Sequence, residues 1–537
     1  MGTPIEAETV GELLRKAADE FGDAEAVVGS GTRLTFNQLN ERSRAMARHL
    51  LERGVAKGMH VGVSFGNNPD FIVTLLGVAR IGAIAVPIST FAPGRELLRL
   101  IRYGDMAAIV TKRTAVGIDQ YDRLTTAVPG LAGATGPMLY LEAAPCLRWI
   151  EFLDADDSSP AWATRPGDSG ESAVSDALLD ALEANVVPTD IALMIHTSGT
   201  TSDPKGVPHL HDSVCFRGRY MTERMRYERG ERVYTSQVLF WIGGLTMSFF
   251  TCIAAGATAI WSEKFDATEV LDLIERERIN RLAIYPHQTE QLLAHPKFAE
   301  TDRSSLRYGD PRLGESGQLS IPLTPEGHRM ALGMSETFGP YSWGTKGAGV
   351  IGAIEMVQPG LEVRLVDENN VPVADGEMGE IILRGRCVTP GYYKRPKLFG
   401  FDADGWFHTG DRGLREGDAI HFLGRLTEMI KTSGANVAPA EVIEALLAID
   451  GVREAYVLPV ADEVRGELVA AAVVADDGAG LDAATVKAAL KADLSNYKIP
   501  STIAFFKSEE IPWTPTFTVR RGQLTVMFVD GAASAAW

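Results

Sequence analysis

The chain has 537 residues, 45% of them hydrophobic and 23% charged, a globular composition with room for two or more substantial cores. Its formal net charge of −18 argues against nucleic acid as the main partner, because that affinity rests on Lys and Arg contacts to phosphate. Cys146, Cys215, Cys252 and Cys387 are scattered and form no C-x-x-C pair, so buried thiols in a reducing cytosol are expected rather than disulfides or a zinc site.

The opening Met1-Gly2-Thr3-Pro4-Ile5-Glu6 has no basic stretch leading into an apolar one, and no Ser or Thr at position 6. Neither a signal peptide nor N-myristoylation is expected, and the assigned location is cytoplasmic. Apolar periodicity predicts helices over Val10–Phe21, Leu39–Leu51, Asp70–Arg80 and Glu96–Tyr103. Between them, short apolar runs predict strands at Glu25–Val28, Arg33–Phe36, Val61–Phe65, Ala83–Pro87 and Ala107–Thr111. This alternation implies parallel sheets covered by helices. The pattern weakens from about Ala115 to Pro188, and the Ser/Asp/Pro/Gly-rich Asp154–Glu171 reads as a surface loop.

A buried strand is expected at Ile191–Ile195 and a helix from about Ser213. Val233–Ser262 carries no charge and is long enough to span a bilayer. Glycines and threonines dilute it, however, so a buried helix and strand beside a pocket is the expectation and no membrane span is assigned. From Gly349 to Gly424, short β-like runs at Leu361–Val366, Gly379–Leu383 and Ala419–Phe422 predict a small β subdomain. Beyond Arg425 the text returns to α+β: helix Pro439–Ile449, strands Val452–Val460 and Leu468–Val474, and helix Asp482–Leu494.

The most informative string is His-Thr-Ser-Gly-Thr-Thr-Ser-Asp-Pro-Lys-Gly-Val-Pro-His-Leu-His at 196–211. Thr197, Ser198, Gly199, Thr200, Thr201 and Ser202 are small and mostly hydroxyl-bearing, and Lys205 follows. Backbone N–H groups, hydroxyls and one ammonium on a flexible loop after a buried strand suit a polyphosphate. The string is not the Walker loop, which reads G-x-x-x-x-G-K-[ST].

This string resembles the phosphate loop of the adenylate-forming superfamily: acyl-CoA synthetases, peptide-synthetase adenylation domains and luciferases. The resemblance covers almost the whole chain. Ala331-Leu-Gly-Met-Ser-Glu-Thr-Phe-Gly339 looks like that superfamily's Y-G-x-T-E segment, with Leu332 and Ser335 replacing the usual aromatic and Thr. It implies that Ser335 meets the α-phosphate, that Glu336 holds Mg²⁺, and that Thr337 belongs to the same nucleotide site. Gly405-Trp-Phe-His-Thr-Gly-Asp411 matches the ribose-binding segment, which makes Asp411 the acceptor for ribose hydroxyls and Arg425 its companion. Thr427 stands where the family's hinge residue is usually Asp or Lys, and Lys431-Thr-Ser-Gly-Ala-Asn-Val-Ala-Pro-Ala-Glu441 resembles the opening of a mobile C-terminal domain. Phe240-Trp-Ile-Gly-Gly-Leu245 stands where relatives carry Phe-His-x-x-Gly. Trp241 replaces a gating His, and Phe240, Trp241, Gly243 and Gly244 suggest a slot for an aryl or medium-chain acid.

The implied architecture is an α/β N-terminal domain over 1–425, with its β subdomain at about 349–424, and a small mobile α+β C-terminal domain over 426–537. The implied activity is ATP-dependent activation of a carboxylic acid as its adenylate, with pyrophosphate release, then transfer to a thiol. ATP and Mg²⁺ are the implied cofactors, and CoA or a carrier protein acting in trans is the acceptor. One departure stands out. Where the family carries P-x-T-x-x-G-K, this chain reads Ile511-Pro-Trp-Thr-Pro-Thr-Phe-Thr-Val-Arg-Arg521, placing Thr518 at the lysine that reaches over the carboxylate and α-phosphate. Losing a preorganised partner for developing charge costs about 10²–10³ in rate. Three readings stay open: slow adenylation, helped by Arg520, Arg521 or Lys431; a Thr518 engineered to trap a state; or different chemistry. The last includes activation of nitrite with transfer to an amine, amide synthesis, and nucleotide binding with impaired catalysis.

Overall fold

The computed structural model describes residues 3–166, 174–197, 204–308, 330–344, 353–354, 356–417, 419–425, 430–437, 439–462, 464–476, 478–512, 519 and 523–528. Helices begin where a short polar side chain satisfies orphan N–H groups. Thr9 accepts from the Glu12 N–H to start Val10–Phe21, and Asn68 accepts from the Phe71 N–H to start Pro69–Arg80, with Pro at its first turn. A reciprocal Thr35–Gln38 capping box starts Phe36–Glu52. That box takes Phe36 out of the strand in which the sequence pattern put it, and the helix begins three residues before the expected Leu39.

Among the described residues, the amino-terminal part builds two α/β sheets. One runs Lys205–Leu210, Ile191–Thr197, Ile84–Pro87, His60–Ser64, Met106–Thr111, Trp149–Phe152 and Ala163–Thr164. It is parallel except at the Lys205–Leu210 edge. The other runs Arg281–Ala283, Arg232–Thr235, Thr258–Trp261, Glu25–Gly29 and Thr32–Thr35, parallel except for its terminal hairpin. Helices Pro69–Arg80 and His211–Met225 pack within a core that contacts both sheets. The charge-free stretch forms the strand Arg232–Thr235, helical turns over Ile242–Gly244, Leu245–Phe249 and Phe250–Ala255, and the strand Thr258–Trp261. No helix among the described residues is long and apolar enough to cross a membrane.

The weakly patterned middle holds more order than its composition suggests. Trp149–Phe152 and Ala163–Thr164 extend the large sheet, and Asp119 and Ser175 cap helices Gln120–Ala127 and Asp176–Ala184. An antiparallel sheet follows in the order Ala353–Ile354, Ala419–Arg425, Phe407–Glu416, Met378–Gly385 and Leu361–Val366. The last sheet, built wholly from residues 430–505, pairs Val452–Asp462 with Gly466–Ala475 and sets Thr502–Phe505 parallel to the latter. Helices Pro439–Leu447 and Ala483–Leu490 cover it.

This last sheet docks on the amino-terminal part through a buried charge cluster. Lys498 Nζ, 3% exposed, lies 2.6 Å from Glu96 Oε1 and 2.9 Å from Glu441 Oε1, and Ser495 Oγ donates to Glu96 Oε2 at 2.6 Å. Burial opposes the ammonium, but the surrounding Tyr497, Glu96 and Glu441 outweigh it and raise the Lys498 pKa. Arg95–Asp493 and Arg99–Glu444, each 3.4 Å, flank the cluster at the surface. Removing one partner of a buried pair strands the other charge, at about 3–5 kcal/mol, whereas an exposed pair contributes about 0–1 kcal/mol. Lys498→Met is therefore expected to undock the carboxy-terminal sheet, read as a larger radius of gyration in small-angle scattering. Arg95→Ala is expected to leave the scattering curve unchanged.

Candidate active site

The antiparallel pairing of Ile191–Thr197 with Lys205–Leu210 ends on the partners Thr197 and Lys205. These two residues flank the hydroxyl-rich loop and are held one strand spacing apart. Ser198, Gly199, Thr200, Thr201 and Ser202 lie outside the described residues. The Lys205 ammonium stands over the rings of Tyr392 and Phe399, at 5.3 and 5.5 Å from their centroids. Aromatic faces attract a cation, and here they fix where the charge points.

Ser335, Glu336 and Thr337 form one turn of 3₁₀ helix between the strands Met330–Met334 and Gly339–Gly344. The buried Arg217 holds this turn from beneath: it donates to the Thr337 carbonyl at 2.7 Å and to the Pro340 carbonyl. The Thr389 N–H donates to the Glu336 carbonyl at 2.7 Å. Thr337 is fully buried, and its hydroxyl donates to the Gly339 carbonyl at 2.7 Å, so this residue shapes the turn. Glu336 Oε1 accepts from the Tyr392 hydroxyl at 2.7 Å. Tyr392 thus touches both Lys205 and Glu336. The sequence reading missed it, since Pro390-Gly391-Tyr392-Tyr393 has no period or spacing that marks a site.

Asp411 lies in the strand Phe407–Glu416, 6% exposed, with its N–H donating to Thr409 Oγ1 at 3.0 Å. Arg425, the last residue of Ala419–Arg425, is its cross-strand partner. Pairing thus joins the two residues that the resemblance gives to the nucleoside.

A cavity of about 450 Å³ is lined by Thr197 and Ser335 and by a wall that includes Gln237, Trp241, Ile242 and Met247. Gly243 and Gly244 line it, but Gly244 does more than leave space: a Cβ there would collide with the Val238 carbonyl. Phe240 is buried behind the wall, its ring 5.6 Å from that of Trp241. Tyr497 closes the cavity from the carboxy-terminal part, edge-on to Trp241 at 5.7 Å and 87°. Gly434 and Ala435 also reach the cavity. At Gly434, φ is +82° and a Cβ would lie 2.7 Å from the Tyr285 ring, so a side chain is refused on both counts. Lys431 is exposed on the strand Ile430–Thr432, its ammonium 5.5 Å from the Phe422 ring centroid, and does not line this cavity. Thr427, Thr518, Arg520 and Arg521 lie outside the described residues. A second, largely apolar cavity of about 260 Å³ shares Trp241, Tyr285, Ala435 and Tyr497 with the first.

Three histidines near the loop stay neutral. His196 lines the main cavity, and neither ring nitrogen has a partner among the described residues. Burial, with a smaller contribution from His60, lowers its pKa to about 4. His209 packs against Phe338 with ring centroids 4.6 Å apart and is lowered to about 3 by burial, aided by Arg217. His211 accepts from the Val10 N–H at 3.2 Å and is lowered to about 4 by burial.

Comparison with known proteins gives a consistent result. The pattern of the AMP-binding enzyme family matches residues 14–393, and that of the AMP-binding enzyme C-terminal domain matches 441–517. A methyl-dioxo-octahydroindenyl-propanoyl:CoA ligase of Rhodococcus jostii is 31% identical over 96% of this chain and 98% of its own. The indoleacetate–CoA ligase of Aromatoleum aromaticum is 29% identical over 91% of this chain and 92% of its own. Among solved structures, the amide bond synthetase McbA from Marinactinospora thermotolerans superposes with a TM-score of 0.76 at 25% identity, covering 96% of this chain and 99% of that one.

The buried histidines make stability depend on pH. A histidine with its ordinary pKa near 6.5 in the unfolded chain binds a proton below that value, while His209 and His211, at about 3 and about 4, do not. The unfolded state then holds more protons, so stability is intact above about pH 6.5 and is lost progressively as pH falls toward 4. Each of these two residues costs about 2 kcal/mol by pH 5. The urea midpoint is expected to fall between pH 7 and pH 5, and by less in His209→Leu.

Proposed function

Because the chain belongs to the AMP-binding enzyme family and is an ATP-dependent, AMP-forming ligase, we propose that it activates an aryl or alicyclic carboxylic acid as the acyl-adenylate and passes the acyl group to the thiol of CoA. One observation carries this reading: a single cavity is lined both by the phosphate-loop residue Thr197 and the turn residue Ser335 and by the Trp241, Ile242 and Met247 wall. The ligases from Rhodococcus jostii and Aromatoleum aromaticum, named for a fused-ring propanoyl group and for indoleacetate, support a bulky acid.

In the first step an acid oxygen attacks the α-phosphorus of ATP. A new P–O bond forms, the bond to the bridging β-phosphate oxygen breaks, and pyrophosphate leaves. The protein positions the reactants and offsets charge. Lys205 and the 197–202 loop hold the β- and γ-phosphates, Ser335 meets the α-phosphate, and Asp411 and Arg425 hold the nucleoside. Glu336 would hold Mg²⁺. One carboxylate beside phosphate oxygens is the donor set magnesium takes, and the described residues contain no cluster of three acidic, His or Cys groups that would suit a fully protein-held ion. Bound there, Mg²⁺ would neutralise phosphate charge. The Tyr392 hydroxyl holds one oxygen of this carboxylate by a hydrogen bond of 2.7 Å. Thr518, in place of lysine, slows this step.

In the second step the thiol sulfur attacks the acyl carbonyl, the C–O bond to AMP breaks, and the thiol proton goes to solvent. The part of the chain beyond residue 426 turns as a hinged unit between the two steps, with Lys431 on its inner strand. A second reading keeps the first step and uses an amine as acceptor. The likeness to McbA and the apolar second cavity favour it over a carrier protein in trans. A cavity of about 450 Å³ does not favour an acid as small as nitrite.

The test is ATP–pyrophosphate exchange over a panel of aryl, alicyclic and fatty acids and nitrite, on this chain and on Thr518→Lys. Exchange with a ring-bearing acid is expected, faster in Thr518→Lys by about 10²-fold. Lys205→Ala and Asp411→Ala are expected to abolish it. Exchange in neither protein, with ATP still bound in calorimetry, would leave a nucleotide-binding protein without this activity. Tyr392→Phe, which removes one hydrogen bond to a charged group, is expected to slow exchange about tenfold.

A further inference from the structure

Gln237 follows the strand Arg232–Thr235 and lines the main cavity, yet it is only 9% exposed. Its backbone is committed: the N–H donates to Thr235 Oγ1 at 3.1 Å, and the carbonyl accepts from Asn67 Nδ2 at 2.9 Å. The direction of its side chain is therefore set by the fold. Its carboxamide oxygen is not committed. Among the described residues Oε1 has no hydrogen-bond partner. It is seated over Gly243, where a Cβ would stand 2.6 Å from it. The adjoining wall offers little relief, since Ile242 and Met247 are apolar and the Thr246 hydroxyl is spent on the Ile242 carbonyl at 2.8 Å.

A buried amide oxygen without a partner is rare in folded proteins and asks for an explanation. The oxygen itself is shut off from the open cavity and rests against Gly243, so a ligand meets this carboxamide when the side chain turns toward the void. A carboxamide turned over about its last bond presents N–H in place of oxygen, so a hydroxyl, which both donates and accepts, suits either orientation. We propose that Gln237 is a specificity residue that hydrogen-bonds a hydroxyl or N–H group on the ring of the acid, so that acids bearing such a group are chosen over their bare hydrocarbon analogues. The inference rests on the reading of this cavity as the acid site and deepens it. A site built to hydrogen-bond a substrate hydroxyl rejects the analogue lacking it far more strongly than an apolar wall rejects a missing methylene, because the buried protein group is left unpaired.

The test uses non-hydrolysable acyl-sulfamoyl-adenosine conjugates of phenylpropanoic acid and of its ortho-, meta- and para-hydroxy forms. Dissociation constants are measured by calorimetry on the wild-type chain, on Gln237→Leu and on the length-matched Gln237→Met. At least one hydroxy isomer is expected to bind the wild type about tenfold or more tighter than the parent. That preference is expected to disappear in both variants, in which the parent no longer leaves an amide unpaired and binds at least as tightly as its hydroxy forms. Equal binding of all four conjugates to the wild type, or a preference that survives in both variants, would overturn the role of Gln237 and leave the acid-site reading standing. Binding of ATP with none of the conjugates would overturn the acid-site reading, and the role of Gln237 with it. Far-ultraviolet circular dichroism and ATP affinity establish that the variants are folded.

Discussion

The strand Lys205–Leu210 is the seam on which the site depends. On one side it pairs antiparallel with Ile191–Thr197 and closes the large sheet. On the other side it carries the segment that leads into the antiparallel sheet: the Gly206 carbonyl accepts from the Tyr393 N–H at 2.9 Å, and the Pro208 carbonyl accepts from Thr389 Oγ1 at 3.0 Å. Pro208 has no N–H to give, which a strand tolerates at an edge and not in a sheet interior. The outer side of this strand is thereby kept for irregular partners. Val207 packs with Tyr392 and Phe407 beneath the seam. The loop's exit lysine, the tyrosine over it and the acidic turn it touches are consequently tied to one strand by main-chain bonds together with the Thr389 and Tyr392 hydroxyls.

Docking of the carboxy-terminal sheet and completion of the cavity are one event in this structure. Tyr497 and Lys498 are neighbours in the chain with separate tasks: the tyrosine stands edge-on to Trp241 in the cavity wall, and the lysine is buried between Glu96 and Glu441. Phe91 extends the contact, its ring 6.1 Å from that of Tyr497 and 5.2 Å from that of Phe240. A buried ion triad contributes little net stability against an apolar equivalent, but it penalises misplacement, because any shift strands a charge. That makes it suited to holding one orientation, and less suited to holding it permanently. An aromatic contact supplies area with broader tolerance in angle. The combination sets position by charge and seals by ring packing.

The legibility of the sequence followed the local physics. Val10–Phe21 was readable because its Thr9 cap and its periodic face agree, and Pro69–Arg80, buried on nearly every side, because Asn68 and Pro69 mark the start of a long apolar run. Phe36 was misassigned because its apolar character suits strand and helix alike, and the decision rests on the Thr35–Gln38 box. Trp149–Phe152 was missed because a strand of four residues needs only its neighbour Met106–Thr111 to form. At the proposed site, the segments around Lys205, Glu336 and Asp411 stood out as strings because each is a short local motif. Tyr392, Arg217 and Gln237 were not, because each acts across a distance that the sequence does not mark: 56 residues from Tyr392 to Glu336 and 120 from Arg217 to Thr337. Trp241 was readable as a pocket residue, but its contact with Tyr497 depends on how two parts of the chain meet.

The cavity's make-up bears on how such a site distinguishes one acid from another. Trp241, Ile242 and Met247 offer area, and an apolar wall discriminates only about 1–3 kcal/mol per methylene gained or lost. Adding more apolar surface makes every ring-bearing acid bind better without separating them. Selectivity has to come from groups whose pairing depends on the ligand. Of the polar side chains in the wall, Thr246 satisfies its hydroxyl internally, whereas the Gln237 oxygen has no protein partner among the described residues. Gly243 keeps that amide in place by the absence of a side chain. Gln237 and His196, whose ring nitrogens also have no partner among the described residues, are the buried groups whose pairing depends on the ligand, while the aromatic and aliphatic surface around them supplies affinity that is common to the whole class of acids.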